Sequence, residues 1–195
     1  MNQENMRIIV SLLAFSALLA ACQRQDAAEP AATEPAAVTA PADPREAMIA
    51  DALSAAPPSV AATAMVMDWE GNMLKENSGP YTCMPTPASL GGRAPMCMDG
   101  PWMAWADAWS KHQEFKAERV GISYMLAGDG GASNIDPYAT GPTDDNQWVV
   151  EGPHLMIVVP DPAMLEGIST DPKNGGPYVM WKGTPYAHIM VPTAD

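Results

Sequence analysis

Two short segments near the C-terminus carry the same pair of metal-binding side chains. His154 is followed two residues later by Met156, and His188 is followed by Met190, with one aliphatic residue between them in each case. On a β-strand, residues i and i+2 point to the same face, so each segment presents an imidazole beside a thioether. If the two strands are neighbours, the four side chains supply a soft N/S ligand set that suits Cu(I). The alternative is a hydrophobic core, because His and Met also serve as ordinary buried residues.

This spacing is similar to that of the periplasmic copper-A-site chaperones, whose site consists of a His, two Met and a closing His-x-Met. His154 and the pair His188 and Met190 match that pattern, and Met164 lies between them. The resemblance implies a Cu(I) ligand bound by these side chains. The chain departs from the family pattern because the Met that follows the first His is displaced to Met156 and the middle Met is out of place.

Two cysteines lie 14 positions apart in a segment rich in Pro and Gly. In an oxidising compartment such a pair, Cys83 and Cys97, predicts a disulfide. Closing a loop of this length stabilises a fold by about 3 kcal/mol in the chain-entropy model. The alternative is a second soft metal site, because Met84, Met96 and Met98 adjoin the cysteines and thiolates with thioethers also select Cu(I).

Two acidic loops offer oxygen ligands. Residues 129–136 and 143–146 contain Asp and Asn side chains that could bind Ca²⁺, but neither loop has EF-hand spacing. Turn formation is the alternative, because Asp, Asn and Gly readily adopt turn conformations. The sequence contains no nucleophile-elbow, zincin, P-loop, dinucleotide-binding or Cys-x-x-Cys motif. A hydrolase with dispersed residues stays open, since His154 follows Glu151 closely.

The N-terminus has the zones of an export signal. Polar residues 1–7 precede an unbroken apolar run at residues 8–21, and that run is too short for a stable membrane-spanning helix of about 20 residues. It ends in Leu19-Ala20-Ala21-Cys22, which resembles the lipobox of bacterial lipoproteins. The resemblance implies cleavage before Cys22 and acyl chains such as palmitate on that cysteine, with two or more chains holding a protein stably.

The lipobox implies a place in the cell envelope, on the periplasmic face of a membrane. Gln23 follows the lipidated cysteine, and in enteric-type bacteria a residue other than Asp there favours the outer membrane. The formal net charge of −13 argues against nucleic acid as a partner and against docking on anionic head groups. A protein partner in the envelope remains open.

The composition divides the chain into three parts. We predict a signal peptide at residues 1–21, a disordered Ala/Pro/Glu-rich tether at residues 22–43, and a single globular domain at residues 44–195. Apolar spacing and caps predict a short helix at 44–55 and a Trp-rich amphipathic helix at 101–118. The fold class predicted for the domain is α+β, with a mostly antiparallel β-sheet on which the Trp-rich helix packs.

Further extended runs follow that helix and are expected to form strands. They comprise residues 120–126, 148–151, 154–159, 178–182 and 186–191. In residues 154–159 both alternating sets are mostly apolar, which suggests strands covered on both faces.

Much of this domain resembles uncharacterised exported proteobacterial proteins. The resembling stretches are PYTCMPTP, PMCMDGPWM, ISYMLAGDGGASNIDPYAT and GGPYVMWKGTPYAHIMVP. That resemblance implies one intact domain and no particular activity. The sequence therefore favours an anchored, non-enzymatic binding or envelope-associated domain, with a Cu(I)-binding lipoprotein as the alternative and a hydrolase third.

Overall fold

The computed structural model describes residues 43–193. The predicted signal peptide, Cys22 and all but the last residue of the predicted tether lie outside this range. The helices are α1 (Pro44–Leu53), α2 (Pro58–Ala61) and α3 (Gly100–Ser110), with a 3-10 helix at Pro162–Leu165. Within residues 43–193 we find no helix with the length and hydropathy that a membrane crossing requires.

Within residues 43–193, ten strands form one large sheet and one small one. In chain order they are β1 (Met65–Met67), β2 (Met73–Lys75), β3 (Thr82–Met84), β4 (Met96–Met98), β5 (Gly121–Met125), β6 (Ala132–Ser133), β7 (Trp148–Val149), β8 (His154–Val158), β9 (Tyr178–Met180) and β10 (His188–Pro192). The large sheet has the order β2-β1-β3-β4-β5-β8-β10-β9, and β6 pairs with β7 separately. Only the β1–β3 pair of these strand pairs is parallel. The predicted α+β class with a mostly antiparallel sheet is confirmed.

Helix α1 covers one end of the sheet. Asp43 caps the helix by accepting from the Arg45 backbone N–H at 2.9 Å, and Pro44 occupies the first turn, where its missing N–H costs nothing. The helix packs on β1 to β4 through a small apolar cluster that includes Ala52.

The predicted disulfide between Cys83 and Cys97 is confirmed. It joins directly opposed residues of β3 and β4, whose Cα atoms lie 3.9 Å apart. Both cysteines are buried in the apolar cluster under α1. Because the sulfurs are bonded to each other, they are not thiolate ligands, and the alternative soft site at the cysteines is wrong.

Helix α3 packs on the other face of the sheet, against β4 and β5. Asp99 caps it by accepting from the Trp102 N–H, and Trp102 and Trp105 are buried. The helix ends at Ser110, so the predicted extension to residue 118 is wrong. His112 has φ 54°, and the N–H of Gln113 donates to Ala108 O at 2.8 Å, the pattern of a left-handed helix terminus.

The two faces of the sheet are unequally covered. Alternate residues of β8 and β10 are buried on the α3 face, in a core rich in Met and Trp. On the other face Leu155, Ile157, Ile189 and Val191 are only half-buried, because α1 lies over β1 to β4. The expectation that these strands are fully covered on both faces is therefore wrong.

At each edge of the large sheet, a backbone group of the edge strand is bonded from outside the sheet. At the β2 edge, a guanidinium N–H of Arg45 donates to Leu74 O at 2.6 Å. At the β9 edge, the N–H of Val179 donates to Ser169 O at 2.7 Å. The backbone of each edge strand is therefore bonded by a group from outside the sheet.

Candidate functional site

The two His-x-Met segments lie side by side in the sheet. They form the adjacent antiparallel strands β8 and β10, in which Met190 is opposite Met156 and Pro192 is opposite His154. All four side chains are on the buried α3 face, and His154 and His188 are 0% and 1% exposed. The condition set by the sequence, that the two strands are neighbours with these side chains on one face, is met, while the binding of a metal stays a prediction.

The register sets the two thioethers between the two imidazoles. Because the strands are antiparallel, His154 and His188 lie at opposite ends of the pair, four residues or about 13 Å apart along the strands. Met156 and Met190 occupy the position midway between them. The arrangement has a local two-fold symmetry, and it favours two overlapping His-Met-Met sets over convergence of all four ligands on one point.

Both imidazoles are held by the same backbone contact. Nδ1 of His154 lies 2.7 Å from Gly152 O, and Nδ1 of His188 lies 2.9 Å from Tyr186 O. A carbonyl oxygen only accepts, so Nδ1 carries the hydrogen and Nε2 of the neutral ring carries the lone pair. Neither Nε2 has a hydrogen-bond partner among the described residues. Two oriented, buried and unengaged ligand atoms therefore flank the methionine pair.

Three tryptophans surround His188 and form what we call the indole box: Trp102, Trp105 and Trp181. Their ring centroids lie 5.4, 5.6 and 5.1 Å from the imidazole centroid, with interplanar angles of 79° to 85°. Burial lowers the pKa of His188 to about 4. The hydrogen bond to the Tyr186 carbonyl opposes this shift, and the positive charge that His154 can carry adds to it. His188 is therefore a neutral imidazole at physiological pH.

His154 has a polar environment instead. Its Nε2 lies 4.0 Å from Oδ2 of Asp129, whose Oδ1 accepts from the backbone N–H groups of Gly131 and Glu151. Burial raises the pKa of Asp129 above its usual range, against the opposing effects of the Glu151 N–H and of His154. The hydroxyl of Tyr178 donates to Glu151 Oε1 at 2.7 Å. The two ends of the methionine pair thus differ, one enclosed by indoles and one facing carboxyl groups.

The acidic loops use their side chains to form turns. Asp136 accepts from the Tyr138 N–H, Asn146 accepts from the Thr143 N–H, and Asp145 accepts from the Thr143 hydroxyl. Within the described range, no three His, Cys, Asp or Glu side chains are grouped so that they could hold a metal ion. The structure therefore favours turn formation over a calcium site in these loops.

Sequence reasoning missed the third wall of the indole box. The spacing of Trp102 and Trp105 predicts a buried helix face, but nothing near Trp181 indicates that its indole reaches His188. Trp181 is placed by long-range bonds, since its backbone N–H donates to Asn134 O and its indole N–H donates to Ser133 O. The one signal in the sequence was Gly183, which follows Trp181 and Lys182 closely and is typical of a turn.

Comparison with known proteins gives no further indication of function. No family model, no curated protein and no solved structure matches the chain.

Proposed function

We propose that this chain is an envelope lipoprotein, cut before Cys22 and anchored by acyl chains to the outer membrane, that presents a non-enzymatic binding domain on its periplasmic face. The lipobox-like end of the apolar run supports the anchor. The observation that carries the location is the buried Cys83–Cys97 disulfide, because such bonds form and persist in oxidising compartments.

Binding rather than catalysis is supported by where the ligand atoms lie. Nε2 of His154 and Nε2 of His188 are oriented and unengaged, yet both rings are enclosed in the core. A general base must come within hydrogen-bond reach of a substrate proton, about 3 Å. An enclosed imidazole suits a small ligand that is held in place better than an organic substrate that turns over.

The anchor is tested by acyl-chain labelling in cells. We expect the wild-type chain to incorporate labelled fatty acid and the Cys22→Ser variant to incorporate none, because the thiol that accepts the lipid is lost. The matched control is the double variant Cys83→Ser/Cys97→Ser, which keeps Cys22 and should still be labelled. An unlabelled wild-type chain whose mature form begins elsewhere would overturn the proposal.

The arrangement of the imidazoles favours Cu(I) as a second, more specific candidate for the function. Each imidazole adjoins both thioethers, one along its own strand and one diagonally across the pair. One nitrogen and two sulfurs form a soft ligand set, and soft ligands select Cu(I) over Zn²⁺ or Ca²⁺. The hydrogen bond from each Nδ1 to a backbone carbonyl fixes the tautomer that a ligating imidazole needs.

Titration of Cu(I) against a chromophoric chelator tests this candidate. We expect Met156→Leu and Met190→Leu each to weaken binding by at least about tenfold, or about 1.4 kcal/mol. Met98→Leu is the matched control, because Met98 lies on the same buried face but is opposite Ser123 on β5. Unchanged affinity in a His154→Ala/His188→Ala double variant would remove copper from the proposal and leave the anchored binding domain without an assigned ligand.

A further inference from the structure

The turn that follows β9 lies over the indole box. We infer that residues 181–187 are the gate through which a ligand reaches His188, and that the Trp181 indole is the group that closes it. This inference rests on the proposed binding function, and it adds the entry route and the ligand class of the same site.

Trp181 is the one wall of the box that does not belong to a helix. Trp102 and Trp105 project from α3, whereas Trp181 directly follows β9, the last strand of the sheet. The indole is 7% exposed, and the next two residues, Lys182 and Gly183, are exposed. The Trp181 side chain is therefore carried by a turn at the edge of the sheet, directly before two exposed residues. Moving this turn requires no break in the interior of the sheet.

The backbone of this turn is strained. Trp181 has φ 55°, a left-handed conformation that a bulky L-residue rarely adopts, and Gly183 has φ 85°. Backbone strain of this kind persists only where the surrounding contacts hold the residue in its conformation. It is found most often at ligand-binding loops and at regions that switch conformation. Here the contacts come from three sources: the β6 segment, helix α3 and the turn itself.

The contacts at the Trp181 end of the turn hold the strained residue. The Trp181 backbone N–H donates to Asn134 O at 2.9 Å, and its indole N–H donates to Ser133 O at 2.6 Å. The indole also stacks on Trp105, with centroids 5.6 Å apart and planes 3° apart.

The other end of the turn is fixed at Tyr186. Its carbonyl accepts from the Trp105 indole N–H at 3.3 Å, and its hydroxyl donates to Gln113 O at 2.7 Å. Release of the contacts at Trp181 alone would let the strained residue relax, so the gate opens at that end of the turn.

The closed box also indicates the class of ligand. All three indole centroids lie within 5.6 Å of the imidazole centroid, so the closed box would not accommodate a polyatomic ligand beside the ring. A cation within about 6 Å of an indole ring is attracted by the ring's negative face. The lone pair of Nε2 likewise binds a cation. The ligand of the His188 end is therefore a single desolvated cation, and Cu(I) fits the adjoining thioethers.

Chemical access to His188 tests the gate without any metal. The purified protein is treated with diethyl pyrocarbonate, which acylates accessible neutral imidazoles, and modification at each histidine is followed by mass spectrometry. Trp181→Ala should accelerate modification of His188 by at least about tenfold, the factor that corresponds to about 1.4 kcal/mol of lost closure. Exposed His112 and buried His154 are internal references whose rates should not change.

Two further variants separate opening of the turn from loss of an aromatic ring. Gly183→Ala keeps the indole and meets nothing within 4 Å, so it acts only through the backbone at φ 85°, and it should also accelerate modification of His188. Trp69→Ala is the control for loss of a tryptophan, because that indole donates to Pro85 O and belongs neither to the indole box nor to the 181–187 turn. An equal acceleration in Trp69→Ala, or none in Trp181→Ala and Gly183→Ala, would overturn the gate.

Cu(I) uptake then separates the gate from the proposed function. Rapid mixing with a Cu(I)-chelator complex should give faster uptake and faster release in Gly183→Ala than in the wild type. Uptake by all variants at the same rate would overturn the gate and leave the copper proposal standing. Accelerated modification of His188 in a protein that binds no Cu(I) would keep the gate and overturn copper as its ligand.

Discussion

Protonation of His188 is coupled to the folding of the domain, because the imidazole is neutral where it is buried. Its pKa falls from 6.5 to about 4 on folding, with burial as the main cause. A group with a lowered pKa binds fewer protons in the folded state than in the unfolded state, so acid favours unfolding. We expect the free energy of unfolding to fall as the pH drops from 6.5 to 4, by at most about 3 kcal/mol.

Urea unfolding at a series of pH values measures this dependence. A His188→Gln variant should lose the part of the pH dependence between 6.5 and 4 that the imidazole contributes, since glutamine does not titrate, while Asp51 and Asp129, whose pKa values also shift on folding, keep their contributions. His112→Gln is the control, because His112 is exposed, and its profile should follow the wild type. An identical pH profile in His188→Gln and the wild type would contradict the neutral state of the buried imidazole.

Single residues of the site were predictable to the extent that their neighbours in sequence decide their position. The i and i+2 spacing was enough to place His154 with Met156, and His188 with Met190, on one face of each strand. The surroundings of each imidazole were not predictable. Asp129 and Trp181 reach the histidines through loops whose paths depend on tertiary contacts and leave no local pattern.

At the scale of elements, the end of α3 shows where helical periodicity misleads. His112 continues the spacing of the Trp stripe, yet it takes the left-handed position that normally suits glycine. Its ring stacks on Tyr138 with centroids 4.0 Å apart. This contact, with a residue 26 positions away, holds the backbone conformation at the helix terminus, and no property of the local sequence reveals it.

The β3–β4 pair depends on its disulfide. The bond closes a loop of 14 residues, and its removal should lower the free energy of unfolding by about 3 kcal/mol, because the unfolded chain gains conformational freedom. Thermal unfolding with and without a reducing agent measures the effect as a lower melting temperature.

The double variant Cys83→Ala/Cys97→Ala is the companion measurement. It should unfold at about the temperature of the reduced wild type, and a reducing agent should not lower that temperature further. Both positions are fully buried, so alanine adds no polar group to the core. Free thiols in aerobically purified wild-type protein would contradict the disulfide.

At the scale of the whole molecule, the sequence indicated the class of the fold but not its strand order. Separate runs of strands with one strong helix predict an α+β domain. The position of β8 between β5 and β10, and the parallel contact of β1 with β3, depend on long-range pairing. The half-covered sheet face was also unpredictable, because apolar residues on both faces of a strand are found both in fully buried strands and in strands with one half-exposed face.

The charged cap on the β2 edge should keep copies of this domain apart. Replacing Arg45 with Ala frees Leu74 O, which accepts from the guanidinium at 2.6 Å. An exposed edge strand with free backbone groups is a template for pairing with another chain. We therefore expect Arg45→Ala to raise the apparent mass in concentration-dependent light scattering. Arg93→Ala is the matched control, because Arg93 pairs with Asp51 and bonds no strand backbone, and it should remain at the wild-type mass.

The groups bonded at the two sheet edges have a particular consequence for the lipid-anchored protein proposed above. Its anchor would restrict the copies to two dimensions, where they meet more often than in solution. At that higher encounter rate, even weak pairing between strand edges would join the sheets of neighbouring copies. The guanidinium at one edge and the Ser169 carbonyl at the other each occupy a backbone group that such pairing would use.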